Sequence, residues 1–151
     1  MASGTVDKFL DWMESYRGVV FPWHCDHLGH MNVRWYGHFF DDAGWHLWSQ
    51  IGMSHVTFKE RGIVTVVASI KTEFHHESAA GDLVLIKSAF TRIGEKSLTM
   101  SQRMINAESG VLYATQDVVE VFFDVVARKA APMPQDIREK LEAVVVTVQS
   151  D

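Results

Sequence analysis

Between residues 33 and 51 the chain carries a helical pattern with almost no polar face. Tyr36, Phe39, Phe40, Ala43, Leu47 and Ile51 recur at steps of three and four, the spacing of one buried helix face. Trp35, Trp45 and Trp48 add aromatic surface on the flanks, and Arg34, His38, Asp41, Asp42, His46 and Ser49 leave only a narrow stripe for solvent. Asn32 is a good N-cap and Gly52 the expected left-handed stop. Gly37 and Gly44 each weaken a helix by about 1 kcal/mol relative to alanine, which points to close backbone packing at both. A helix this apolar has to be wrapped by something.

The remainder of the chain supplies strands to wrap it. Residues 63–76 alternate, with Val66, Ala68, Ile70 and Phe74 on one side and Ser69, Lys71, Glu73 and His75 on the other. Turns at Ala80-Gly81-Asp82, Ile93-Gly94-Glu95-Lys96 and Glu108-Ser109-Gly110 separate further strands over 83–93, 97–106 and 111–126. In the last of these Val119, Val121, Phe123 and Val125 share a face while Glu120 and Asp124 point away. Sixteen residues would extend about 50 Å at the usual rise, so a curved or bulged strand is implied. Residues 15–23 read as a strand that Pro22 confines to an edge or bulge, and residues 5–14 as a short helix. After Pro132 and Pro134, Ile137, Leu141 and Val144 mark an amphipathic helix over 135–145. Tight turns join antiparallel strands. The expected fold is therefore α+β: one curved five-stranded antiparallel sheet around one long helix. It forms a single domain over 1–151, with an N-terminal arm over 1–14 and a C-terminal helix and tail over 132–151.

Composition narrows the function classes. A net charge of −5 with no basic block argues against non-specific nucleic-acid or membrane binding. Cys25 is the only cysteine, so no intrachain disulfide forms and a reducing cytoplasm is the simplest home. The first sixteen residues are acidic without a continuous apolar run, unlike a signal peptide.

Chemistry concentrates in residues 24–36, HCDHLGHMNVRWY. Asp26 lies in a glycine-containing turn just before the helix, whose start has unpaired N–H groups and a partial positive charge. An acid there can attack, or activate water, beside a site that holds a developing oxyanion. The structural alternatives are that Asp26 merely caps its turn, that Asn32 is only an N-cap, and that His30 fixes the loop. His24, Cys25, Asp26, His27 and His30 also contain ligand types for zinc, but they form one local string without a paired framework. No metal and no cofactor are implied.

The pattern Cys25-Asp26-x-x-Gly29-His30-x-Asn32, the aromatic helix, and Glu60-Arg61-Gly62-Ile63-Val64 before a strand resemble the hotdog-fold acyl-CoA thioesterases of the 4-hydroxybenzoyl-CoA thioesterase type. The similarity spans about residues 15–130. It implies hydrolysis of acyl-CoA to free acid and CoA in a cytoplasmic homodimer or tetramer, with active sites at the subunit interface. Asp26 is then the catalytic carboxylate, as nucleophile or as general base, and the backbone N–H near Val33 polarises the thioester carbonyl. His30 and Asn32 assist, favouring the water route; Tyr36, one turn into the helix, is a candidate substrate contact whose first reading is core or interface. Lys96 and Ser97 fall where related enzymes meet the phosphates of CoA, with Arg92 and Arg103 as less certain contributors that are alternatively solvated surface charges. Two rivals share the fold: a hydratase or dehydratase pairing an acid with a histidine, and a non-catalytic acyl-CoA-binding module.

Overall fold

The computed structural model describes residues 11–147. The chain runs β1 (Met13–Val19), a 3-10 turn (Pro22–His24), α1 (Val33–Gln50), α2 (His55–Arg61), β2 (Ile63–Phe74), β3 (Leu83–Ile93), β4 (Ser97–Asn106), β5 (Leu112–Asp124), β6 (Lys129–Ala130) and α3 (Gln135–Glu142). The strands form one antiparallel sheet in the order β1-β3-β4-β5-β2, with the short β6 beside β5. The sheet wraps α1, as the apolar helix requires. Among the described residues no helix is long and apolar enough to cross a membrane.

α1 begins and ends as its sequence dictates. The Asn32 side chain accepts the Arg34 N–H at 3.1 Å, and Gly52 takes a φ of +83° just past the end. Tyr36, Phe39, Phe40, Ala43, Leu47 and Trp48 are all buried. Trp48 belongs to the core rather than a flank, its ring edge-on to Phe90 at 4.8 Å and to Phe122 at 6.4 Å. Each such aromatic or aliphatic side chain contributes roughly 1.5–3 kcal/mol by leaving water. Two buried clusters result. One, around Phe39, Phe40, Ile86 and Met104, lies under the start of α1; the other joins Leu47, Phe90, Leu98 and Phe122 to Ile137 and Leu141 of α3.

Several expectations are corrected. The core face of β5 is Ala114, Gln116, Val118 and Phe122, while Val119, Val121 and Phe123 are only half-buried. Glu120 faces the helix with the buried set: its carboxylate accepts from Trp48 Nε1 at 3.4 Å and from Thr65 Oγ1 at 3.1 Å. A register slip in β2 between Val67 and Ser69 breaks the simple alternation. Val67 and Ile70 consequently border the same groove, although they are three residues apart. Met13 and Glu14 are strand rather than helix, β1 ends at Val19, and residues 5–10 of the expected helix lie outside the described residues. Close packing does not explain Gly37, where a Cβ would meet nothing within 4 Å; at Gly44 it would make ordinary contact with Met100 Sδ at 3.5 Å. α2 was not expected at all. Ser54 caps it through the Thr57 N–H at 3.2 Å and Gly62 stops it at a φ of +65°. Arg61 then pairs with Asp136 of α3, holding that carboxyl down at about 2.

α1 packs over β1, β3 and β4. β2 forms one edge of the sheet and exposes Val66, Val67, Ile70 and Phe74 by 42–57%.

Candidate active site

The polypeptide reaches α1 through a tightly tied loop. Cys25 and Met31 form an antiparallel bridge, the Asn32 N–H donates to the His24 carbonyl at 2.8 Å, and Gly29 turns the chain with a φ of +84°. Asp26 sits immediately beyond that bridge, its N–H donating to the His30 carbonyl at 2.9 Å. These ties fasten the Asp26 turn to the segment that leads into α1. Asp26 Oδ1 accepts the Leu28 N–H at 2.9 Å, so the turn-capping role is real; the side chain is half-buried and its second oxygen has no protein partner among the described residues. The Val33 N–H, at the first helical position, likewise has no hydrogen-bond partner among the described residues. In general a carboxylate oxygen without a partner can act as base or nucleophile, and an unpaired amide at a helix start can hold an oxyanion.

The neighbouring candidates fall out differently. Asn32 is an N-cap, its Oδ1 meeting both the N–H and Nε of Arg34. His30 turns to Glu77, with Nε2 and Oε2 3.2 Å apart. Tyr36 is 4% exposed and shares a hydrogen bond with Ser78 Oγ at 2.9 Å, so in this chain it braces the loop from the core rather than facing an open site. His24 is buried, and its Nδ1 accepts the Phe21 N–H at 2.9 Å, which fixes the ring neutral at that nitrogen. Burial, with His38 second, pushes its pKa below the ordinary value. Among the described residues no three His, Cys, Asp or Glu side chains gather as a metal site.

A second tier of residues, missed from sequence, supports the loop. The Ser78 carbonyl accepts the Met31 N–H at 2.8 Å, and His30 bridges to Ala79. Asp82 Oδ2 accepts from the Ala79 N–H at 2.9 Å and from the Tyr113 hydroxyl at 2.8 Å, while Asn106 Nδ2 donates to that hydroxyl at 2.7 Å. Burial pushes the Tyr113 phenol up to about 12. The only sequence signal for this support was the Gly81-Asp82 turn.

Arg92 and Ser97 meet at the β3–β4 turn, where Arg92 Nη1 lies 3.5 Å from Ser97 Oγ, and Lys96 belongs to the same turn. Arg103 does not join them: it is half-buried in mid-β4, beside Asp117 and over the Trp12 ring. Nor does the turn lie near Asp26. The Asp26 loop is tied to the start of β3 and the basic turn follows its end, roughly 30 Å away along the strand.

Comparison with known proteins places this architecture. The sequence model of the thioesterase-like superfamily matches residues 19–141. The chain belongs to that superfamily. Its class is thioester hydrolase, on the hotdog fold. This thioesterase-superfamily chain is 27% identical over 124 residues to the long-chain acyl-CoA thioesterase FadM of Escherichia coli (strain K12), a match covering 82% of the chain and 92% of FadM. It shares its fold with SAV2348 of Staphylococcus aureus, solved in complex with CoA, at a TM-score of 0.82 and 17% identity over 93% of this chain and 90% of that one. The fold also matches Slr0204, a 1,4-dihydroxy-2-naphthoyl-CoA thioesterase from Synechocystis, at a TM-score of 0.74 and 20% identity over 83% of this chain and 93% of that one.

Proposed function

We propose that this protein hydrolyses acyl-CoA thioesters to free carboxylic acids and CoA in the cytoplasm, with Asp26 as general base and the Val33 N–H as oxyanion donor. The carrying observation is the loop geometry: Cys25–Met31 pairing and the Asn32–His24 hydrogen bond fasten the Asp26 turn onto the start of α1. Thioesters need little more. A thiolate leaves without a strong acid, so a carboxylate that deprotonates water and an amide that holds the tetrahedral oxyanion are sufficient. Attack by Asp26 itself, through an acyl-enzyme anhydride, uses the same two groups. Likeness to FadM supports a long-chain acyl-CoA as substrate.

The working unit in this reading is a homodimer, or a tetramer built from it. The roughly 30 Å between Asp26 and the Arg92, Lys96 and Ser97 turn along one strand supports it, because a second copy can bring its basic turn to the first copy's acid. The exposed apolar edge of β2 supports it too. His30 pairs with Glu77 rather than with Asp26, which gives no support to an acid–histidine hydratase centre.

The test is CoA release by the full-length protein over short, medium, aromatic and long acyl-CoAs, with Asp26→Asn and Asp26→Ala alongside. Both substitutions are expected to lower kcat by about 10²–10⁴-fold, the usual worth of a general base, with the melting temperature kept. Unchanged release in both would remove Asp26 from the chemistry. Water addition to crotonyl-CoA without CoA release would make the protein a hydratase, and binding without turnover would make it an acyl-CoA-binding module.

A further inference from the structure

The connection from β2 to β3 ends in the Gly81-Asp82 turn, and its middle lies against the Asp26 loop. The Met31 N–H donates to the Ser78 carbonyl at 2.8 Å, and Ala79 bridges to His30, whose own carbonyl accepts the Asp26 N–H at 2.9 Å. His30 Nε2 lies 3.2 Å from Glu77 Oε2, and the Tyr36 hydroxyl meets Ser78 Oγ at 2.9 Å. Glu77, Ser78 and Ala79 therefore clamp His30 and Met31. Only His30 stands between that clamp and Asp26.

The turn by itself needs no aspartate. Gly81 takes a φ of +96°, and the backbone of Gly81 and Asp82 is already tied to Val20 by hydrogen bonds of 2.7 and 2.9 Å. The Asp82 side chain does something else. Its Oδ2 accepts the Ala79 N–H at 2.9 Å and the Tyr113 hydroxyl at 2.8 Å. The direction of the second bond is forced. Asn106 Oδ1 accepts the Glu108 and Ser109 N–H groups, so its Nδ2 is the group that faces the Tyr113 oxygen, donating to it at 2.7 Å. The phenol, 3% exposed, keeps one proton to give, and Asp82 takes it. One carboxylate oxygen thus anchors the clamp to the β4–β5 hairpin.

We propose that Asp82 is a positioning residue of the hydrolysis: braced by Tyr113, it acts through Ala79 and His30 to set where the Asp26 turn sits. This rests on the thioesterase reading above. Losing the side chain leaves the Val20 ties in place, so the fold is kept while the clamp is freed to shift. A misplacement of about 1 Å in an active site is worth up to about 100-fold in rate.

The experiment is acyl-CoA hydrolysis by full-length wild type, Asp82→Ala, Asp82→Asn and Tyr113→Phe, each also made with Asp26→Ala, together with backbone hydrogen exchange. Asp82→Ala is expected to lower kcat about 10–100-fold, with KM within about twofold of wild type. Asp82→Asn keeps an oxygen that accepts both donors, so kcat should recover to within about threefold. Tyr113→Phe keeps the buried ring and removes only the brace, and a loss of about three- to tenfold is expected. The Met31 N–H should exchange faster in Asp82→Ala and Tyr113→Phe, while amides in the middle of β4 keep their wild-type rates. A residue that works only through Asp26 has nothing to position once that carboxylate is gone. In the Asp26→Ala background the same substitutions should therefore cost less than about twofold. Three results overturn the proposal while leaving the thioesterase reading intact: wild-type kcat in both Asp82→Ala and Tyr113→Phe, an equal loss in both backgrounds, or an Asp82→Asn as slow as Asp82→Ala. Should Asp82→Ala fail to fold, Tyr113→Phe and Asp82→Asn decide the matter by the same measures. Release indifferent to Asp26 sinks the underlying reading, and this inference with it.

Discussion

Asp26 holds the Leu28 N–H with one carboxylate oxygen and leaves the other without a protein partner among the described residues. Its setting depends on His24, which accepts the Phe21 N–H and presents its carbonyl to Asn32. Because the fold depresses the His24 pKa, the neutral ring is the stabilising form. That stability is present above 6.5 and is lost as pH falls below it. His24→Asn keeps an acceptor but gains no proton there, so urea unfolding should show a shallower loss of stability on acidification than wild type. Gly37 is the other residue with a local lesson. The space at its Cβ is open, so Gly37→Ala should raise stability by about 1 kcal/mol. Thermal unfolding checks it, and a fall instead of a rise would mean that the space is filled. Both glycines were legible in the sequence as oddities; that Gly37 meets nothing was not.

At the scale of elements, caps and stops carried most of the information. Asn32 and Gly52 bracketed α1 correctly because capping is decided by one side chain and a few backbone amides. α2 has the same punctuation, Ser54 and Gly62, but only seven residues and no long apolar stripe. In β5 both alternating sets are apolar, Val118 and Phe122 against Val119, Val121 and Phe123, so periodicity could not say which faced the helix, and Glu120 misled. That glutamate is a liability the fold accepts in exchange for holding Trp48. Burial raises its pKa, with Asp41 adding to the rise, so the protonated form is favoured. Its stability is fully present below the ordinary 4.5 and is lost as pH rises through the folded value. Glu120→Gln should therefore be more stable than wild type at neutral pH and above. The difference should shrink toward zero by 4.5 when melting temperatures are compared across pH.

For the molecule as a whole, the telling fact is where things are not. The Asp26 loop and the Arg92, Lys96 and Ser97 turn lie at opposite ends of β3, and β2 ends the sheet with an apolar, unpaired edge. Val66 is 42% exposed on that edge. Val66→Lys is expected to convert the assembly to monomers by sedimentation and to cut kcat/KM at least tenfold, since charged lysines block edge pairing. A monomer with full activity would break the shared-site reading.

By itself, the sequence determined the order of α1 and the long strands, the bounds of α1, the tight antiparallel turns and the stretch that bears Asp26. Each depends on neighbours in the chain, through capping, turn chemistry and a helix too apolar to stand alone. Tertiary structure decided what depends on distant partners: the buried face of β5, the β2 bulge that brings Val67 and Ile70 together, and the support of the Asp26 loop by Ser78, Asp82 and Tyr113. It also decided that Gly37 borders an open groove between α1 and the sheet, because only the seating of the helix on the strands sets that spacing.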